Sequence, residues 1–432
     1  MSRSAGGMNR RTLLQSSAAT GLGLAFAQYL RANPSLAQDA VNLEFWDMVW
    51  GPPEYIDTGT AISGQYAATG AGAAVEYRST PWANWYQTFT TAIGAGTAPD
   101  VSTGAGFQAV QFYDQGAVAT LDDVVAQMQA DGSIADFLPG TIERLQYDGH
   151  YVALPWAIDI RVLYYRKDLF AAAGVTPPTT WDEFAAAAKA LTTGDQYGLV
   201  TAGADNGGSH QFYMFALNNG GSMVTGDRKA NLLGERTLEA LQFNADLVKA
   251  GVVHPASTGY VGDDATKAFA SGTAAMYMAG PGLEGRLPEI ADQIGLLAPL
   301  VGPHGDTGTV SWVNNIMLYE QSEHKDQARA FLVWWLNNLL PLWTEGHVTQ
   351  LPVRQSIASD AYFTGKANLA QILEQWVPVG KSTGFPVEGI FPQLNELEGE
   401  GVMQTLMQDV LQGKDARASA EQAQQRLESI LS

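Results

Sequence analysis

Hydrophobic and polar positions along the chain fall into two rhythms. Val41–Trp46 and Ala73–Tyr77 alternate with period two, as half-buried strands do, and Gly51, Pro52 and Pro53 mark a loop after the first. Trp85–Ile93 has a helical rhythm instead, broken by Gly94-Ala95-Gly96. Further on, Thr180 with Glu183 makes a capping box, the glutamate placed to reach back to the amide of residue 180. The same periodicity predicts helices over Glu235–Ala250, stopped by Gly251, over Asp326–Leu340 and over Ala416–Leu431. Strands alternating with helices at this spacing predict α/β layers rather than an all-β sandwich.

One stretch breaks its own pattern. Residues 154–170, LPWAIDIRVLYYRKDLF, read as a buried strand running into a helix, yet they contain Trp156, Asp159 and Arg161. A carboxylate and a guanidinium in apolar surroundings cost on the order of several kcal/mol unless each finds a partner. In an extended segment Asp159 and Arg161 share one side. The arginine can therefore steady the carboxylate while the carboxylate accepts hydrogen bonds from a ligand; the alternative is a buried pair that only supports the backbone.

With 432 residues the chain is too long for one ordinary core, and two domains are expected. There are 24 basic and 44 acidic residues, and the resulting charge of −20 argues against nucleic-acid or anionic-lipid partners. There is no cysteine, which excludes disulfides, thiolate chemistry and cysteine-held metals. Arg10-Arg11 precedes a weakly apolar stretch from Leu13 to Leu30, with a small-x-small site at Ser35-Leu36-Ala37. This reads as a twin-arginine export signal over residues 1–37, giving a mature chain outside the cytoplasmic membrane, in the periplasm. No repeat or long linker separates two halves, so two lobes would exchange strands.

Chemistry-bearing motifs are sparse. The six histidines (150, 210, 254, 304, 324, 347) lack metal-ligand spacing. Gly104-Ala105-Gly106-Phe107-Gln108-Ala109 fits a loose dinucleotide fingerprint, but a glycine turn at a strand end is the better reading. The tryptophans say more. Trp334, Trp335 and Trp181 sit in or at the start of helices and read as core. Trp46, Trp50, Trp82, Trp85, Trp156 and Trp312 instead cluster at strand ends and in adjacent loops, several with polar neighbours such as Asp47, Asn84, Asn314 and Asn315. Indole faces stack on the C–H faces of sugar rings, while carboxylates, amides and guanidinium groups bond hydroxyls. Together these residues predict a carbohydrate groove.

Several stretches resemble the extracellular solute-binding protein family 1, the sugar-binding subunits of bacterial ABC importers that include maltose-binding protein. They are LEFWD (43–47), GAGTAPDV (94–101), DGHYVALPWAIDIRVLYYRKDLFAAAGVTPPTTWDEF (148–184), NNGGSMV (218–224), AFASGTAAMYMAGPG (268–282) and WVNNIMLY (312–319). The resemblance implies an α/β, two-lobed periplasmic-binding-protein fold of type II, its lobes joined by hinge crossovers and closing on the ligand. Lobe I is expected at 41–157 and 312–360, lobe II at 158–311 and 361–432. By motif position it implies ligand contacts from Trp46, Asp47, Trp50, Phe107 and Asp159, and one near His210. With Gly282 and the groove residues Trp82, Trp156, Arg161, Trp312 and Asn314, these form the expected site. Gly282 falls where maltose-binding protein carries a tryptophan platform, and the region around Glu396–Glu400 also lacks an aromatic one.

The sequence is thus read as a non-enzymatic periplasmic protein that delivers a mono- to short oligosaccharide to an ABC permease. No cofactor or metal is expected, and a monomer is. The rival readings are an exported glycoside hydrolase using a pair from Asp47, Asp159 and Glu388, and an exported NAD(P)-dependent oxidoreductase.

Overall fold

A computed structural model describes residues 41–69, 71–387 and 389–432. The export signal predicted over residues 1–37 and the candidate Glu388 lie outside the described residues. Strands of three or more residues are, in chain order, β1 (Val41–Met48), β2 (Ala73–Thr80), β3 (Val101–Gly104), β4 (Leu154–Ile160), β5 (Val162–Arg166), β6 (Tyr197–Val200), β7 (Ala274–Ala279), β8 (Ile294–Leu296) and β9 (Thr309–Leu318). The chain divides into two compact units. One runs to Trp156 and takes in Asn314–Val348 and Val353–Ile357; the other comprises Ala157–Val313, Thr349–Pro352 and Ala358–Ser432.

In the first unit β1 lies between β2 and β3, parallel to both, and Asn315–Leu318 of β9 pairs antiparallel with β3. Parallel neighbours need crossovers, and the helices Pro53–Gln65 and Trp85–Ala95 supply them. The second of these ends at Gly96, whose φ of 69° is a conformation few other residues adopt without strain. The predicted strands and this helix therefore form, each running two or three residues further. The helix predicted over Asp326–Leu340 forms as Lys325–Asn337. It stops early because Pro341 has no N–H to donate and its ring would clash with the carbonyl four residues back. Its Trp335 and Phe331 pack edge-on to Phe45 at centroid distances of 4.8 and 5.2 Å, so Trp335 is core, as the sequence predicts, and Phe331 joins it.

The second unit has a sheet in the order β8-β5-β7-β6, antiparallel except for the β7–β6 pair. Every residue of β7 is buried, as expected of a continuous apolar run in a central strand. The helices Trp181–Ala190, Asn206–Asn218, Glu235–Lys249 and Ala416–Ile430 belong to this unit. Thr180 caps the first of them by accepting from the Glu183 amide. The Glu183 carboxylate reaches chiefly to the amide and hydroxyl of Thr179, at 2.8 and 2.7 Å, one residue earlier than the capping-box pattern predicts. The single strand expected within 154–170 is two, interrupted at Arg161, whose N–H bonds to the Val310 carbonyl at 3.1 Å. Among the described residues, no helix is long and apolar enough to cross a membrane.

Candidate functional site

Ligands of open α/β sheets bind beyond the carboxyl ends of the strands. In the first unit three adjacent parallel strands end in loops that carry Trp50 (after β1), Trp82 (after β2) and Phe107 (after β3). These side chains meet in one aromatic cluster. Trp50 lies 4.9 Å from Trp82 and 5.1 Å from Trp156; Trp85 lies 6.3 Å from Trp82 and 6.0 Å from Phe107. Trp156 is fully buried and also packs on Trp343. Trp82 is the partly exposed member, its ring held by a hydrogen bond from Nε1 to the Val49 carbonyl at 2.7 Å.

Two first-strand residues lie elsewhere. Trp46 is buried, with the Arg78 guanidinium 4.4 Å from its ring centre and Phe89 5.7 Å away. Asp47 has no exposed surface. Its carboxylate accepts from the hydroxyls of Tyr55 at 2.6 Å, Tyr77 at 3.0 Å and Thr103 at 2.6 Å, and Thr103 in turn accepts from Trp50 Nε1 at 3.1 Å. Burial pushes this carboxyl up to about 6, against the pull of those hydroxyls. The expectation that Asp47 contacts ligand is corrected here: with its oxygens engaged and covered, it positions the loop after β1. Trp156 is corrected likewise, because a ring with no accessible surface supports Trp50 rather than meeting a ligand itself.

The second unit gathers Asp159, Arg161, His210 and Trp312. Asp159 is the single β4 residue left partly exposed. Arg161 Nη1 donates to Asp159 Oδ1, both side chains retaining 15% exposure, and Arg161 Nε donates to His210 Nδ1 at 3.0 Å. Burial and the nearby guanidinium hold His210 well below its ordinary value, so its ring is neutral at neutral pH and carries its proton on Nε2. The Arg161 guanidinium lies 5.1 Å from the Trp312 ring centre, and the His210 ring 4.7 Å from it. Trp312 is therefore not an open platform; it keeps 7% exposure and meets two cationic or aromatic neighbours. A Cβ at Gly280 would lie 3.6 Å from Arg161 and 3.7 Å from Asp159, so the backbone after β7 runs beside the pair.

Gly282 has a φ of 74° and open space where a side chain would be. Asn314, which falls in the first unit, is buried with no hydrogen-bond partner for its Nδ2. Sequence reasoning missed Glu398. Trp312 Nε1 donates to its Oε1 at 3.3 Å, and Thr383 also bonds its carboxyl. No local signal links residues 86 positions apart. In the glycine loop at 104–109, Gln108 Oε1 accepts from the Ala105 amide, and a Cβ at Gly104 would strike Met317 at 2.6 Å. Close packing explains that glycine. Among the described residues no group of three or more His, Asp or Glu side chains is placed to hold a metal ion.

Comparison with known proteins gives these residues a context. The family profile described as bacterial extracellular solute-binding protein matches residues 54–338. A Brucella abortus (strain 2308) relative, named only as a binding protein, is 28% identical over 311 residues, 71% of this chain and 74% of that one. The crystal structure of a sugar transporter from Arthrobacter chlorophenolicus A6, with bound laminaribiose, is 36% identical. It covers 90% of this chain and 99% of its own, with a TM-score of 0.86. A solute-binding protein from Thermotoga lettingae shares the fold at a TM-score of 0.77 and 23% identity, covering 90% of this chain and 100% of its own.

Proposed function

The chain belongs to the bacterial extracellular solute-binding proteins, and from that premise we propose that it captures a mono- to short oligosaccharide and hands it to an ABC transporter. One observation carries the sugar reading above the rest: similarity over nine-tenths of the chain to a protein crystallised with laminaribiose. The chemistry of the two units agrees with it. Aromatic rings in the first suit the C–H faces of a pyranose, and the hydrogen-bonding groups of the second suit its hydroxyls.

The finer features are part of the same proposal. The protein is exported through its Arg10-Arg11 signal, works as a monomer outside the cytoplasmic membrane, and docks on permease subunits. Its two units act as lobes that close over the sugar, driven only by the sugar's greater affinity for the closed state. It performs no catalysis. A hydrolase needs two carboxyls facing one bond, and burial removes Asp47 from the pair expected for that rival.

A thermal-shift screen of neutral sugars, begun with laminaribiose and followed by calorimetry and product analysis, tests the reading. Saturable binding with the sugar recovered intact is expected. Cleavage of a bound sugar, or binding of none, overturns it. Replacing Arg10 and Arg11 by lysine should leave unprocessed protein in the cytoplasm.

A further inference from the structure

We propose that Glu398 is a ligand-contacting residue of the second-unit site, its carboxylate accepting a hydrogen bond from a hydroxyl of the bound sugar. The inference rests on the sugar reading above. The geometry prepares this group as an acceptor. It lies in the helix Gln393–Gly399, partly exposed, and the neighbours that bond it, Trp312 Nε1 and Thr383, both donate. A carboxylate offers about four acceptor positions, and these two donors leave some open. The Trp312 ring that donates to Glu398 also meets Arg161 and His210, so Glu398 is joined to the Asp159–Arg161 pair through one indole. Arg161 is already bonded to Asp159 and His210, and the neutral His210 adds no charge. A sugar hydroxyl is then the natural further donor.

Titration behaviour follows from this placement. Burial pushes the Glu398 carboxyl up to about 7, opposed by Thr383, Trp312 and the Arg161 charge. Tyr213 faces it from the helix Asn206–Asn218 and is itself held in its neutral form. On its own helix, burial and then Glu400 raise the Glu396 carboxyl, and Arg426 pairs with Glu400 just past the helix end. A hydroxyl that donates to the carboxylate stabilises the ionised form, so sugar binding should expel a proton near neutrality.

Calorimetric titration with laminaribiose from pH 6 to pH 8, on the wild type and on Glu398→Gln, tests the proposal. Buffers of different ionisation heat count protons, and a melting curve accompanies each sample. Wild-type affinity should rise with pH by about three- to tenfold, with proton release near pH 7. Glu398→Gln should bind about tenfold more weakly at pH 8 and show no pH dependence. A wild type that binds laminaribiose while the variant matches its affinity and pH profile overturns the inference alone, even if the variant melts earlier. A wild type that binds no neutral sugar overturns the proposed function and this inference with it.

Discussion

Trp82 in the first unit and Arg161 in the second both stand just beyond a sheet strand, but different forces hold them. Around Trp82 the neighbours are rings: Trp50 and Trp85, with Trp156 behind. Its polar atom is bound to a backbone carbonyl. Around Arg161 the neighbours are a carboxylate, an imidazole and an indole, and each polar contact orients another. An aromatic wall loses stability when a ring is removed, because the loss is apolar contact. A charged network loses geometry first, because each member is placed by its partners. Removing a covered ring should therefore be read out as stability, and altering a member of the charged network, or the partly exposed Trp82, as affinity.

The strongest challenge to this contrast is Trp156→Ala. The ring is fully buried between Trp50 and Trp343, so truncation should cost about 3–5 kcal/mol of stability. Chemical denaturation checks it; a loss of sugar affinity at unchanged stability would return Trp156 to the binding surface.

Asp47 comes next and is tested through pH. Its folded-state value of about 6 lies above the ordinary 3.8, so the folded protein holds a proton there that the unfolded chain releases. Its contribution is complete below about pH 4 and is lost as pH rises through about 6, roughly 3 kcal/mol in all. Asp47→Asn cannot titrate, so its stability relative to the wild type should rise by that amount between about pH 3 and pH 7. Parallel stability curves for the two proteins would show that Asp47 does not carry this term.

A smaller effect is expected from Trp82→Ala, and it should appear as affinity. The partly exposed ring has a surface to offer, so sugar binding should weaken by about 1–3 kcal/mol. The melting temperature should fall less than for Trp156→Ala. If Trp82→Ala spares affinity and unfolds the protein, the aromatic cluster is core throughout.

What could be read from the sequence follows the range of the forces. Periodicity located β1, β2 and the helices Trp85–Ala95, Glu235–Lys249 and Ala416–Ile430 to within a few residues, because apolar spacing and glycine stops are local. The pairing of Asp159 with Arg161 was legible for the same reason, since two residues on one side of an extended segment must meet. Burial was not legible. Trp82 and Trp156 look alike in sequence, and only packing against Trp343 separates them. Asp47 looked like a loop carboxylate because two of its hydroxyl partners, Tyr77 and Thr103, come from distant strands. Glu398 was silent because the indole that meets it arrives on β9, 86 residues earlier in the chain.

The smallest predicted effect bears on the charged network itself. Asp159→Asn keeps the shape of the side chain and one acceptor oxygen but removes the charge that faces Arg161. Both side chains keep some exposure, so the pair is partly solvated and its loss should cost little stability. Freed from Asp159, Arg161 still has His210 Nδ1 and the Trp312 face to hold it. What changes is the acceptor offered to sugar: an amide oxygen in place of a charge-assisted carboxylate, whose hydrogen bonds are worth about 1.5–3 kcal/mol. Allowing for the amide oxygen that remains, affinity should fall about tenfold. Titration of the variant beside its unfolding curve decides between the two roles. Unchanged affinity with lost stability would make Asp159–Arg161 a structural pair. The second unit would then resemble the first, held by partners that never meet the ligand.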